Sequence, residues 1–223
     1  MAVRAILFDL DGTLLDTLDD IGRAMNLVLA RRGLKEYPLS AYRNFVGDGA
    51  GVLVRRSMQH ENLTDAMVSQ CITDFKAAYA ETWNICTKPY SGIPELLDLL
   101  AQKAIPAAVL SNKPHEFTVR CVETFLPRRH FSAVLGEQPG RPCKPDPSGA
   151  LEAARLLHAE PQDICYLGDT NTDMQTAIAA GMLPVGALWG FRPASELLAA
   201  GARHLIEKPL ELFQVLKEAG GKR

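Results

Sequence analysis

Two rhythms of apolar residues divide the chain. Over residues 18–32, Ile21, Ala24, Met25, Val28 and Leu29 fall at i, i+3, i+4, i+7 and i+8, one stripe along a helix. Asp19 and Asp20 suit its positive start, Arg31 and Arg32 its negative end, and Gly33 stops it. Further helices are expected over residues 40–46, 52–60 and 64–83, so residues 15–84 read as helix after helix without a strand. Elsewhere short continuous apolar runs dominate, at residues 3–8, 107–110, 133–135, 164–167, 184–188 and 204–206. Helical stretches at 94–103, 116–125, 147–158, 174–180 and 210–219 lie between and after them. Strands without polar alternation are buried on both faces, and strand alternating with helix means a parallel sheet. The expected fold is α/β, a doubly wound parallel sheet with an inserted all-helical cap. Residues 1–14 and 85–223 form the core and residues 15–84 the cap. Crossings near Leu15 and near residues 87–89 make the cap a lid over the sheet edge.

Composition narrows the class. With 223 residues, 47% of them hydrophobic, the chain can bury a large core. A net charge of -2 gives no basic excess for nucleic acid or an anionic membrane. Five scattered cysteines with no C-x-x-C pair are expected to be reduced thiols in a cytoplasmic protein. No signal peptide is expected, because Asp9 and Asp11 interrupt the first apolar run, and no apolar stretch is long enough to span a bilayer. A monomer or a homodimer is expected.

The candidate chemistry sits where apolar runs end. Asp9 and Asp11 follow the first run two residues apart, and Gly12 and Thr13 allow a sharp turn there. In an open parallel sheet that edge is where ligands bind. Close carboxylates need a cation, a shared proton or good hydrogen bonds, and oxygen ligands at this density suit Mg2+. Ser111 and Asn112 end the next run and offer hydrogen bonds to a phosphoryl oxygen. Lys144 stands in Cys143-Lys144-Pro145, in a loop that prolines restrict, where an ammonium would offset several negative charges. Asp169 ends another run and Asp173 lies one helical turn on, either as its partner or as a helix cap.

Asp-x-Asp-Gly-Thr at residues 9–13, Ser111, Lys144-Pro145 and Gly168-Asp169-x-x-x-Asp173 resemble, in order, the four motifs of the haloacid dehalogenase superfamily. The resemblance implies a Mg2+-dependent phosphatase working through an aspartyl-phosphate. Asp9 would be the nucleophile, and Asp11 would protonate the leaving alcohol and then activate water. Asp9, the backbone carbonyl of Asp11, and Asp169 would hold Mg2+, with Asp173 a ligand or an outer partner. Ser111 and Lys144 would hold the phosphoryl group, and Gly12, Thr13 and Asn112 would join the substrate contacts.

Within the superfamily, Asp11 argues against the dehalogenases. Ile21 stands where beta-phosphoglucomutase relatives carry a His, and residues 18–29 lack the Lys of the phosphonatases. Phe45-Val46-Gly47-Asp48-Gly49-Ala50 resembles the cap loop of the phosphoglycolate phosphatases, although Asp48 departs from their small neutral residue. Gly47 and Gly49 would join the substrate contacts, helix-opening amides at Gly49 to Gly51 would receive a substrate carboxylate, and Arg55 or Arg56 would pair with it. Trp189-Gly190-Phe191 either walls the site or packs as core. The expected partner is a small phosphorylated metabolite, best 2-phosphoglycolate. A sugar phosphate, pyrophosphate or nucleotide, a phosphotransferase or mutase, and a non-catalytic binding protein are the alternatives.

Overall fold

The computed structural model describes residues 3–59, 61–126 and 130–220. A six-stranded parallel sheet runs through it in the order β5-β4-β1-β6-β7-β8. Its strands are β1 (Ala5–Phe8), β4 (Ala107–Pro114), β5 (Ala133–Glu137), β6 (Ile164–Gly168), β7 (Leu183–Ala187) and β8 (His204–Ile206). Successive side chains of β1 enter opposite layers. Ile6 and Phe8 join one apolar cluster, Ala5 and Leu7 the other. The first cluster takes in α4 (Ile93–Gln102) and α5 (His115–Phe125), and the second α6 (Ser148–Leu156) and Ala177 of α7 (Asn171–Ala179). Both faces of the sheet are covered, as its unbroken apolar strands require.

Sheet register sets the site. Phe8 is opposite Val109 of β4 and Leu167 of β6, so Asp9, Ser111 and Asp169 all fall just past the paired residues, at one edge. The strand order also reverses at β1, the position where open α/β sheets open a crevice.

Several elements differ from expectation. Strand β4 continues through Ser111, Asn112 and Lys113 to Pro114, all buried. Their polarity hid the strand, and hydrogen bonds satisfy them inside. Helix α7 starts at Asn171, not residue 174, because Thr170 caps it by accepting the Asp173 amide. The helix expected over residues 40–46 is a 3-10 helix, Leu39–Asn44. Helix α8 (Ala194–Ala199) was not anticipated, and α9 (Leu212–Gly220) follows a separate 3-10 turn, Pro209–Glu211.

The helical region after β1 contains α1 (Leu18–Arg31), α2 (Ala50–Ser57) and α3 (Asp65–Thr82). The stripe of α1 is buried as its spacing predicts. The end expected at His60 for the second of the further helices lies outside the described residues. This region is not strand-free. β2 (Leu15–Asp16) pairs antiparallel with β3 (Lys88–Pro89), so the two crossings form one ribbon. Asp20, expected to serve the helix dipole, is buried beside that ribbon and accepts from the Thr87 amide (2.8 Å), the Thr87 hydroxyl (2.7 Å) and the Cys86 amide. No described helix is long and apolar enough to cross a membrane. All five cysteines are free thiols, with Cys71, Cys121 and Cys165 buried.

Candidate active site

Three buried carboxylates meet at the sheet edge. Asp9, Asp169 and Asp173 each bring an oxygen within 4.8 Å of the other two. Asp9 arrives on the end of β1, its amide still donating to the Leu167 carbonyl of β6. Lys144 Nζ lies 2.6 Å from Asp9 Oδ1 and 2.6 Å from Asp173 Oδ1. Its loop is fixed by Asn112, whose Oδ1 accepts the Lys144 amide and whose Nδ2 donates to the Lys144 carbonyl.

Asp169 is held by the Thr13 hydroxyl (3.0 Å) and the Phe191 amide (2.7 Å). Backbone closes over it from two sides. A Cβ on Gly190 would lie 2.2 Å from Asp169 Cβ, and one on Gly12 would lie 2.3 Å from its Oδ2. Gly12 also has φ +94°, a conformation other residues resist. Asp173 is both helix cap and cluster member. Its Oδ2 accepts from the Thr170 amide and hydroxyl, and its Oδ1 from Lys144 and, at 3.2 Å, Tyr166.

Burial drives the electrostatics. It raises the Asp9 pKa well above the carboxylate range, with Asp173 and Asp169 adding to the rise and Lys144 opposing it. Asp169 is pushed up to about 7 by burial first and Asp173 second. Burial would pull Lys144 down, but Asp173 and Asp9 outweigh it and hold its pKa well above the lysine range. Three carboxylates face one ammonium, and a divalent cation fits that all-oxygen, negatively charged donor set.

One expected outcome follows. Asp169 holds its proton more tightly folded than unfolded, about 7 against 3.8. Native protein therefore binds more protons than unfolded protein across that window, and stability falls as pH rises through it. Freed of divalent ions, the protein should melt at a higher temperature at pH about 6 than at pH about 8 on this account. Mg2+ should raise the melting temperature most at the higher pH. Thermal unfolding with chelator or with Mg2+ checks this, and a metal-free melting temperature that rises with pH across this window would contradict it.

The structure brings together some predicted residues and not others. The Asp11 carboxylate is outside the three-carboxylate cluster. It sits in a turn closed by the Gly12 amide on the Leu15 carbonyl and bonds Lys113 Nζ at 3.0 and 3.1 Å. Ser111 is buried, and its oxygen accepts the Lys113 amide, which leaves the hydroxyl proton for a ligand. Asn112, expected on substrate, spends its amide on the Lys144 loop and the Gly47 carbonyl. Thr13, expected on substrate, spends its hydroxyl on Asp169. Gly47 and Gly49 line the cleft between the helical region and the sheet edge.

Arg55 was expected near a substrate carboxylate. It pairs at 2.7 Å with Asp65 on the exposed face of α2 and is not among the residues lining the cleft. Arg56 pairs instead with Asp48, which also accepts from Thr172, so the Asp48 charge is already matched.

Sequence reasoning missed a latch. Arg192 donates to the carbonyls of Arg43 and Val46, and Arg43 donates to the Gly190 carbonyl. Trp189 Nε1 donates to the Thr13 carbonyl. The 189–192 loop thus ties the helical region to both Asp169 and the first turn. Trp189-Gly190-Phe191 was a visible signal, whereas Arg192 had none.

A family model described as haloacid dehalogenase-like hydrolase matches residues 6–187. The chain is 33% identical over 192 residues to a phosphoglycolate phosphatase of Pseudomonas putida, covering 84% of this chain and 70% of the relative. It is 32% identical over 189 residues to a phosphoglycolate phosphatase of Aquifex aeolicus, covering 85% and 86%. A solved structure from Lactobacillus delbrueckii subsp. bulgaricus has a TM-score of 0.88 at 31% identity, covering 97% of this chain and 99% of that one.

Proposed function

Because the chain belongs to the haloacid dehalogenase-like hydrolase family, we propose that it is a Mg2+-dependent phosphatase for a small phosphorylated metabolite, with 2-phosphoglycolate the first candidate. The observation that carries the reading is the pairing of Asp9 with Lys144 inside the cluster of Asp9, Asp169 and Asp173. Asp9 attacks phosphorus and Asp11 gives its proton to the departing alcohol oxygen. Asp11 then takes a proton from the water that attacks the aspartyl-phosphate, returning Asp9 and freeing phosphate. Ser111 and Lys144 orient the phosphoryl oxygens. Asp9, the Asp11 carbonyl and Asp169 would hold Mg2+, which when bound supplies neutralising charge to the transferring group. Asp173, with both oxygens on protein donors, acts through Lys144 as an outer partner. Residues 15–84 act as the cap that excludes water.

The cleft supports a small substrate. It holds about 50 Å³ of space open to the centres of water molecules, room for a few waters, between Asp9 and Asp11 on one side and Val46, Gly47 and Gly49 on the other. The named phosphoglycolate phosphatases among its relatives point the same way. With Arg55 turned away, the opening amides of α2 remain for a carboxylate.

A panel of phosphorylated metabolites, assayed for phosphate release with and without Mg2+, tests this. Fastest Mg2+-dependent release from 2-phosphoglycolate is expected. Faster turnover of a sugar phosphate, pyrophosphate or nucleotide would replace the substrate and keep the chemistry. Phosphate moved between substrate carbons without release would make it a mutase, and no Mg2+-dependent turnover would sink the phosphatase.

A further inference from the structure

We propose that Lys113 is the positioning residue for Asp11, and that Tyr79, from the helical region, makes this positioning depend on the cap being closed. The inference rests on the phosphatase reading above. It starts from a buried ammonium that the mechanism does not use. Lys113 sits on the buried end of β4 with its side chain 4% exposed. Its Nζ has three oxygens around it: Asp11 Oδ1 at 3.0 Å, Asp11 Oδ2 at 3.1 Å and Tyr79 Oη at 2.8 Å. An ammonium has three protons, so these acceptors complete it.

Both oxygens of Asp11 face this one nitrogen, which fixes the plane of the carboxyl. Among the described residues Lys113 forms no ion pair with Asp9, Asp169 or Asp173; Lys144 holds Asp9 and Asp173, and Thr13 and the Phe191 amide hold Asp169. Protonated on one oxygen, Asp11 still accepts from Lys113 on the other. The same contact therefore aims the O–H that gives its proton to the leaving oxygen, and later the lone pair that takes a proton from water.

The third acceptor comes from across the cleft. Tyr79 lies on α3, and its ring also covers the ammonium, 4.5 Å from centroid to Nζ. The ring cannot turn aside, because it stacks on Phe75 (5.7 Å, 15°) and meets Phe117 edge-on (5.0 Å, 72°). If α3 lifts away, Lys113 loses an acceptor and its aromatic cover together. Asp11 is then held by an ammonium that water can reorganise. Closure thus completes the acid only when the substrate is enclosed.

Leaving-group dependence separates positioning from a general structural role. Phenyl phosphate and p-nitrophenyl phosphate have similar shapes, but only the phenolate, the more basic leaving group, needs a well-aimed proton. In Lys113→Met, kcat/KM for phenyl phosphate should fall at least about tenfold more than for p-nitrophenyl phosphate. Tyr79→Phe keeps the ring and its packing and removes only the hydroxyl. It should widen the same ratio by about threefold, and it remains informative if Lys113→Met does not fold. Equal losses on both esters in either folded variant would overturn the role assigned to that residue. Wild-type protein that releases phosphate neither from these esters nor, with Mg2+, from any member of the metabolite panel would overturn the phosphatase reading, and this inference with it.

Discussion

Asp9→Asn is expected to abolish turnover while leaving the protein folded. An asparagine keeps the shape of the side chain but has no oxygen able to attack phosphorus and form the acyl phosphate. Phosphate release should fall at least about 1,000-fold, about 4 kcal/mol in the barrier. Stability should not fall with it. Asp9 is one of three carboxylates crowded in a buried space, and burial has already driven its pKa up. An amide in that place removes the burial cost of a carboxylate and leaves Lys144 paired with Asp173, so metal-free Asp9→Asn should unfold at a temperature no lower than the wild type. Steady-state phosphate release and a thermal melt of the same preparation check both halves. Activity within tenfold of wild type would rule out Asp9 as nucleophile.

Lys144→Ala should do the opposite to stability and the same to activity. The ammonium is the charge that holds Asp9 and Asp173 together at 2.6 Å each. Without it, the phosphoryl group and the carboxylates share the space with one compensating charge fewer, and turnover should fall at least about 1,000-fold. The metal-free variant should also lose about 3–5 kcal/mol of stability, the cost of stranding buried partners of a broken ion pair. Lower pH should recover part of that loss, because Asp9, whose pKa burial raises, then protonates. Adding Asp9→Asn to Lys144→Ala should restore part of it as well, since one stranded charge goes with its partner. Denaturant unfolding of the two single variants and the double variant measures the coupling. A double variant less stable than Lys144→Ala would refute the pairing as the source of the cost.

Most of the sheet was legible because doubly covered strands carry unbroken apolar runs, and the site residues sit one or two positions past those runs. Asp9, Ser111 and Asp169 were readable as candidates from that placement together with the order of the family's motifs, and the register of β1 with β4 and β6 explains why they fall at one edge. Lys113 was not, because three successive polar residues at 111–113 look like the end of a strand, while hydrogen bonds let that strand continue. The placement of Arg55 was hidden for a different reason. Ala50, Leu53, Val54 and Ser57 form the buried stripe of α2, and Arg55 lies off it, facing Asp65 of the next helix. Proximity along the chain to a glycine loop said less than angular position on the helix. Arg192 and Asp20 carried no signal, since the backbone groups and the Thr87 hydroxyl that they bond are brought near by tertiary folding.

The ribbon of β2 and β3 has a mechanical consequence. Leu15 pairs with Pro89 and Asp16 with Lys88, the Tyr90 amide donates to the Leu14 carbonyl, and Asp20 clamps the strip from the side. Two tethers stitched together share one pivot, so helices acting as the proposed cap would swing as a flap with a single degree of freedom. Contacts on opposite rims, Tyr79 with Lys113 and Gly47 with Asn112, would then part in one cooperative event. Escape of phosphate from under such a cap would be an all-or-none gating step with one relaxation time, set by the pivot rather than by any single contact.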